Sequence, residues 1–163
     1  MSWRVRGGLL MYRFRGGLLE VFLAHPGRAP TQPESEGEWV IPKGGRKPLE
    51  SLLQAAQREF VEEVGIRPAG PFIDLGTIEQ ENGKIVHAWA FQGEYEDHTP
   101  IRSQLIELEW PPLSGRFHSI PEFDRACFLS LPEAREKIRQ SQRPLLDRLP
   151  AALGLVPVKA PSF

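Results

Sequence analysis

Apolar residues gather near the start of the chain in two runs, Leu9-Leu10-Met11-Tyr12 and Leu18 to Ala24, with Arg15-Gly16-Gly17 between them. Short apolar runs on either side of a glycine turn predict paired strands. The polar stretch at 26–37, with Pro and Gly throughout, predicts a loop. Glu38 to Ile41 reads as a short strand running into Pro42-Lys43-Gly44-Gly45. The period then changes. Leu53, Ala56, Phe60 and Val64 recur at helical spacing and fall within about 80° of one helical face. Ser51 and Gln54 have capping-box spacing at its start, and Gly65 stands where a left-handed residue would close it. Segments 72–80 and 84–92 read as strands, with Asn82-Gly83 as the expected two-residue hairpin turn. Leu105 to Trp110 is a further strand ended by Pro111-Pro112, Leu113 to Pro121 a loop, and Ala126 to Leu129 a strand. Ser130 and Glu133 repeat the capping-box spacing ahead of a helix to about Arg139, and a short helix is expected over 143–149. This mixture predicts one α+β domain over 1–150, a mixed sheet flanked by helices, with a flexible tail over 151–163.

Composition narrows the class. At 163 residues, 40% apolar and 25% charged, the chain has the make-up of one ordinary soluble domain. Its 20 Lys and Arg against 21 Asp and Glu leave a net charge of −1, so a basic field that would hold nucleic acid is not expected. There is no stretch of 18 apolar residues for a membrane helix, and MSWRVRGGLL lacks the apolar run of a secretory leader. The single cysteine, Cys127, cannot form an internal disulfide and reads as a small buried hydrophobe. Together these point to the cytoplasm. They carry no signal about oligomeric state.

The chemistry concentrates in residues 44–66, GGRKPLESLLQAAQREFVEEVGI. Glu59, Glu62 and Glu63 stand at i, i+3 and i+4, within an arc of about 100° on one side of the helix. Glu59 and Glu63 border the apolar stripe and should be sheltered. Carboxylates this close repel one another unless a counter-charge is present, and a hard divalent cation, Mg²⁺ or Mn²⁺, suits oxygen ligands. Arg58 lies beside Glu59 and four residues before Glu62, where its fork can orient a carboxylate. Gly44 and Gly45 allow close backbone approach ahead of the helix. Lys43, Arg46 and Lys47 add positive charge at a helix start that already favours phosphate.

This segment resembles the Nudix box, G-x5-E-x7-R-E-U-x-E-E-x-G-U with U a bulky apolar residue, and Gly44, Glu50, Arg58, Glu59, Glu62, Glu63 and Gly65 meet every fixed position. Seven fixed positions would coincide by chance roughly once in 10⁸ to 10⁹ windows. The resemblance implies an α/β/α sandwich with a mixed sheet and a Mg²⁺-dependent hydrolase of a nucleoside diphosphate linked to another group. It implies Glu59, Glu62 and Glu63 as metal ligands, with the carbonyl of Lys43 or Gly44 completing the shell and Glu50 in support. Glu59 or a further acid would take the proton from water. The family often carries that acid in a loop before a late strand, and Glu122 fits; Glu79, Glu81 and Glu94 are weaker rivals. Trp39-Val40-Ile41-Pro42-Lys43-Gly44 is similar to a run in diadenosine polyphosphate hydrolases, which gives Lys43 a role holding a phosphate remote from the scissile bond. His25-Pro26-Gly27 and Glu109-Trp110-Pro111-Pro112 resemble features of a bacterial Nudix group expected to cleave nucleoside triphosphates. Trp39, Trp89, Tyr95, Trp110 and Phe117 are candidates to stack a base, each more readily read as packing. His25 and His87 read as structural. The alternative reading is a nucleotide-sensing module without turnover.

Overall fold

The computed structural model describes residues 5–33 and 38–155. β1 (Val5–Arg15) and β2 (Leu18–Pro26) pair antiparallel across the Gly16-Gly17 turn. The next strand differs from expectation. Trp39 and Val40 make only isolated bridges, to Ile138 and Ala24, and β3 is instead Lys43–Gly45. Two of its three residues are glycines, which carry no apolar signal. Main-chain pairing with Arg6 to Gly8 of β1 makes it a strand.

α1 (Leu52–Val64) is bounded by the residues that its local chemistry predicts. Ser51 Oγ accepts from Gln54 N–H at 3.0 Å, and Gln54 Oε1 accepts from Ser51 N–H at 2.8 Å. Gly65 ends the helix at φ 75°, a conformation costly for any residue with a Cβ. β4 (Ile73–Glu79) and β5 (Ile85–Gln92) form the expected hairpin. Its loop is wider than two residues, because Gln80 N–H bonds the Lys84 carbonyl and the Gln80 carbonyl accepts from Gly83 N–H. β6 (Leu105–Glu109) pairs with β7 (Phe117–Pro121) in a separate two-stranded sheet. The second half of the expected 113–121 loop is therefore strand. In β7 only Ile120 is buried, so the pattern of apolar residues does not reveal it. β8 (Phe123–Ser130) leads into α2 (Leu131–Lys137), capped by the Ser130 hydroxyl, and α3 (Arg143–Ala152) continues two residues into the stretch expected to fray. Ala152 and Leu153 pack on the core. Residues 156–163 of the expected tail lie outside the described residues.

The main sheet runs β4-β5-β1-β2-β8, with β3 also on β1; β1 and β5 are parallel and the other pairs antiparallel. Alternation along β1 divides its side chains between two faces. Leu9 and Met11 pack with Phe60 and Val64 of α1, while Leu10 and Tyr12 pack with Leu145, Leu146 and Leu149 of α3. The result is an α/β/α sandwich with a mixed sheet. Phe60 is fully buried against Phe22 and Phe91, a packing whose removal costs about 3–5 kcal/mol in comparable cores. That packing fixes α1, and with it the adjoining, acidic flank of the helix. Among the described residues no helix is long and apolar enough to cross a membrane.

Candidate active site

Arg58 organises the acidic flank of α1. Its Nε and Nη2 donate to the two oxygens of Glu50 at 2.8 and 2.9 Å. Nη1 donates to Glu59 at 3.0 Å and to Glu62 at 3.2 Å, and Nη2 also reaches the Gly45 carbonyl at 2.8 Å. One guanidinium thus joins three carboxylates and the β3 backbone. The bidentate pair holds Glu50 at a pKa of about 2, and the same contacts raise that of Arg58.

Glu63 lies deeper, at 3% exposure, and accepts a hydrogen bond from Lys43 N–H at 2.9 Å. Burial is the main cause that pushes its pKa up to about 9, with the charges of Glu122 and Glu59 adding to it; the Lys43 charge and N–H oppose the rise. Glu59 is also raised, first by burial, against the pull of Arg58. Lys43 is half-buried in β3 rather than in an open loop, and burial lowers its pKa while Glu63 acts to restore it. Gly44 lies against Glu59: a Cβ at Gly44 would stand 2.0 Å from the Glu59 carboxyl carbon, so no other residue fits without displacing that side chain.

Glu122 reaches this group from the turn between β7 and β8. Gln104 holds it there, donating from Nε2 to Glu122 Oε2 at 3.0 Å and from its N–H to the Glu62 carbonyl at 2.8 Å. Glu122 N–H in turn bonds the Gln104 carbonyl at 2.9 Å. Gln104 had no signal in the sequence. It sits in a polar stretch and acts only through contacts distant along the chain.

Several expected features are arranged differently. Glu63 accepts from the N–H of Lys43, and the Arg58 fork reaches the carbonyl of Gly45. Arg46 and Lys47 are exposed, and Lys47 contributes its N–H to Glu50. Among the described residues no three His, Cys, Asp or Glu side chains stand at ligating spacing, since Arg58 draws Glu50, Glu59 and Glu62 towards itself. Glu94 pairs with Arg13, and Glu81 accepts from Ser141, away from this cluster. Trp39 meets His25 edge-on, and the Arg125 guanidinium lies 5.5 Å from its ring. With His98, Pro100 and Asp124 it lines a cavity of about 300 Å³ beside β8. His25 is buried and bonded to Asp124, while His87 stacks on Trp89 at 4.1 Å and bonds Asp74. Cys127 is half-buried at the rim of the same cavity, not fully in the core.

The model of the NUDIX domain family matches residues 3–149. The chain belongs to the NUDIX family. Its complete box makes it a NUDIX pyrophosphohydrolase by class. Solved structures agree with the NUDIX fold at low identity. A Caenorhabditis elegans Ap4A hydrolase in a binary complex aligns with a TM-score of 0.63 and 23% identity, over 91% of this chain and 98% of that one. The NUDIX domain of Shewanella oneidensis NrtR, complexed with ADP ribose, aligns with a TM-score of 0.63 and 14% identity, over 91% and 87%. A MutT protein from Methanosarcina mazei aligns at 0.56 with 23% identity, over 90% and 92%. No curated protein matches the chain.

Proposed function

We propose that this NUDIX domain hydrolyses a phosphoanhydride bond in a nucleoside diphosphate-linked substrate, an NTP or a dinucleoside polyphosphate, with Mg²⁺ as its cation and Mn²⁺ as a substitute. The observation that carries this reading is Glu63. A buried carboxyl group that feels the charges of Glu122 and Glu59, with a pKa far above its ordinary value, is a poor structural choice and a good ligand for a hard cation. Glu59, Glu62, Glu63 and Glu122, all oxygen donors, would hold the ion with a carbonyl of Lys43 or Gly44. When bound, the cation neutralises the phosphate chain and lowers the pKa of water.

The chain's own groups supply the rest. Glu122, held by Gln104, and Glu59, braced by Arg58, are the candidates to accept the proton of the attacking water. Arg58 gathers Glu50, Glu59 and Glu62, and its two oxygen contacts to Glu50 would keep it in place when Glu59 and Glu62 turn to a cation. Lys43, sheltered and facing the charge of Glu63, would hold a phosphate outside the scissile bond. Arg46 and Lys47, exposed on the approach to α1, would attract the anionic substrate. The partner is a nucleotide, with neither nucleic acid nor membrane required, and the setting is cytoplasmic. The fold shared with an Ap4A hydrolase and with a NUDIX domain complexed with ADP ribose supports a nucleotide ligand.

The test is a panel of NTPs, dinucleoside polyphosphates and nucleotide sugars with Mg²⁺ in H₂¹⁸O, the label locating the attacked phosphorus by mass spectrometry. Glu62→Gln should lower kcat by at least about 100-fold, the scale at which single electrostatic groups act on a transition state. Turnover by the parent no greater than by Glu62→Gln would overturn the hydrolase reading. Nucleotide binding without turnover would favour the sensing module instead.

A further inference from the structure

We propose that Arg6, Lys43 and Arg139 form a subsite for the outer phosphates of a linear polyphosphate chain, on the face of the sheet opposite α1. The inference deepens the hydrolase reading, since it assigns the substrate class as one with a long phosphate chain. It begins with strand register. Gly8 of β1 pairs with Lys43, and Arg6 pairs with Gly45. Arg6 and Gly8 point to one side of β1, and cross-strand partners share a side, so Arg6 and Lys43 are diagonal neighbours. A Cβ added at Gly8 would lie 3.3 Å from the Lys43 Cβ, which places the two strands' side chains on that same face. The run carrying Lys43 is in turn bound to the segment after α2. Arg139 N–H donates to the Trp39 carbonyl at 2.8 Å, and Ile41 N–H donates to Gln142 Oε1 at 3.0 Å. Arg139 therefore joins the same neighbourhood from a third element, and the charges of both arginines act on Lys43.

Three cations thus neighbour one another across these elements. Among the described residues, none of the three side chains forms a salt bridge, and the buried Nε of Arg6 has no hydrogen-bond partner. The acids that face Lys43 are Glu63 and Glu122, which belong to the cation site, and Glu81 faces Arg139 more weakly. Like charges held together with an unfilled donor are unfavourable unless an anion completes them. A phosphate chain running from the acidic cluster past Lys43 would supply oxygens to all three in turn. Arg46 and Lys47 point into solvent and offer no such enclosure.

The experiment is calorimetric titration of inorganic tripolyphosphate and of orthophosphate into the full chain carrying Glu62→Gln, in excess Mg²⁺. Arg6→Gln and Arg139→Gln should each weaken tripolyphosphate binding by about 10-fold or more, the scale of one charge-assisted hydrogen bond, and change orthophosphate binding much less. Arg6→Lys and Arg139→Lys should restore part of the affinity, and unchanged melting temperatures would show that the fold survives. Arg116→Gln, on the remote β6–β7 hairpin, should bind like its parent. Tripolyphosphate affinity unchanged in the two arginine variants, or lost only in Arg46→Gln and Lys47→Gln, would overturn the subsite. Because the probe is inorganic, failure of the parent chain to cleave any nucleotide would count against the hydrolase reading and leave this measurement intact.

Discussion

Burial at 3% exposure, with the charges of Glu122 and Glu59 adding to it, keeps the proton of Glu63 far above the ordinary carboxylate range, at a pKa of about 9. An unfolded glutamate titrates near 4.3. Between these two values the folded chain binds a proton that the unfolded chain has released, so stability falls as pH rises. The contribution of Glu63 is complete below pH 4 and is lost progressively up to pH 9. Glu63→Gln, which cannot ionise, escapes that loss. In metal-free protein its melting temperature should match the parent near pH 4.5, rise above it increasingly up to pH 9, and then keep a constant lead. Mg²⁺ at pH 8 should narrow the gap, because the cation stabilises only a fold that offers the carboxylate. Metal uptake near pH 7.5 should also release a proton, visible as a buffer-dependent heat. A gap that does not vary with pH would show that Glu63 is not held protonated.

At the scale of the element, β3 matters out of proportion to its three residues, because the cleft depends on how closely it approaches α1. In Gly44→Ala the new methyl group would sit 2.0 Å from the Glu59 carboxyl carbon, so Glu59 must swing away and leave Arg58 Nη1. A displacement of about 1 Å at a reacting group can cost roughly 100-fold, and kcat should fall by about that much. The melting temperature should change by only a few degrees, since the displaced carboxylate can turn towards solvent. Normal kcat in the alanine variant would remove Glu59 from the chemistry. The same comparison explains what could be read in advance. α1 was legible because its stripe, its Ser51–Gln54 box and its Gly65 stop are all local. The acidic trio followed from helical spacing alone. β3 and β7 were not legible, since glycines carry no pattern and β7 buries only Ile120. Gln104, Arg6 and Arg139 were hidden for another reason. Their meaning comes from partners tens of residues away, and no local pattern encodes such meetings.

Across the whole molecule, the net charge of −1 covers a local contrast: the acids of the α1 flank lie on one side of β3, Arg6 and Arg139 on the other, and Lys43 at the junction. The junction must be rigid for one phosphate chain to meet both. Gln142 is the residue that ties it, at 0% exposure. Its Oε1 accepts from Ile41 N–H at 3.0 Å, and its Nε2 donates to Gln80 Oε1 at 3.1 Å. It thus joins the Lys43 run, the β4–β5 hairpin and the start of α3. Gln142→Leu keeps the volume but strands two buried polar groups, each costing about 1–3 kcal/mol. A domain of this size loses about 2–4 °C per kcal/mol, so the melting temperature should drop by roughly 5–20 °C. Below that temperature the effect should appear in KM before kcat. The loosened run carries Lys43 and its neighbour Arg139, whereas Glu59 and Glu62 remain anchored on α1 by Arg58. If Gln142→Leu instead melted like the parent, the clamp would not be what holds the two charged faces in register. A KM for long phosphate chains that stayed normal in a destabilised variant would show that Lys43 keeps its place without it.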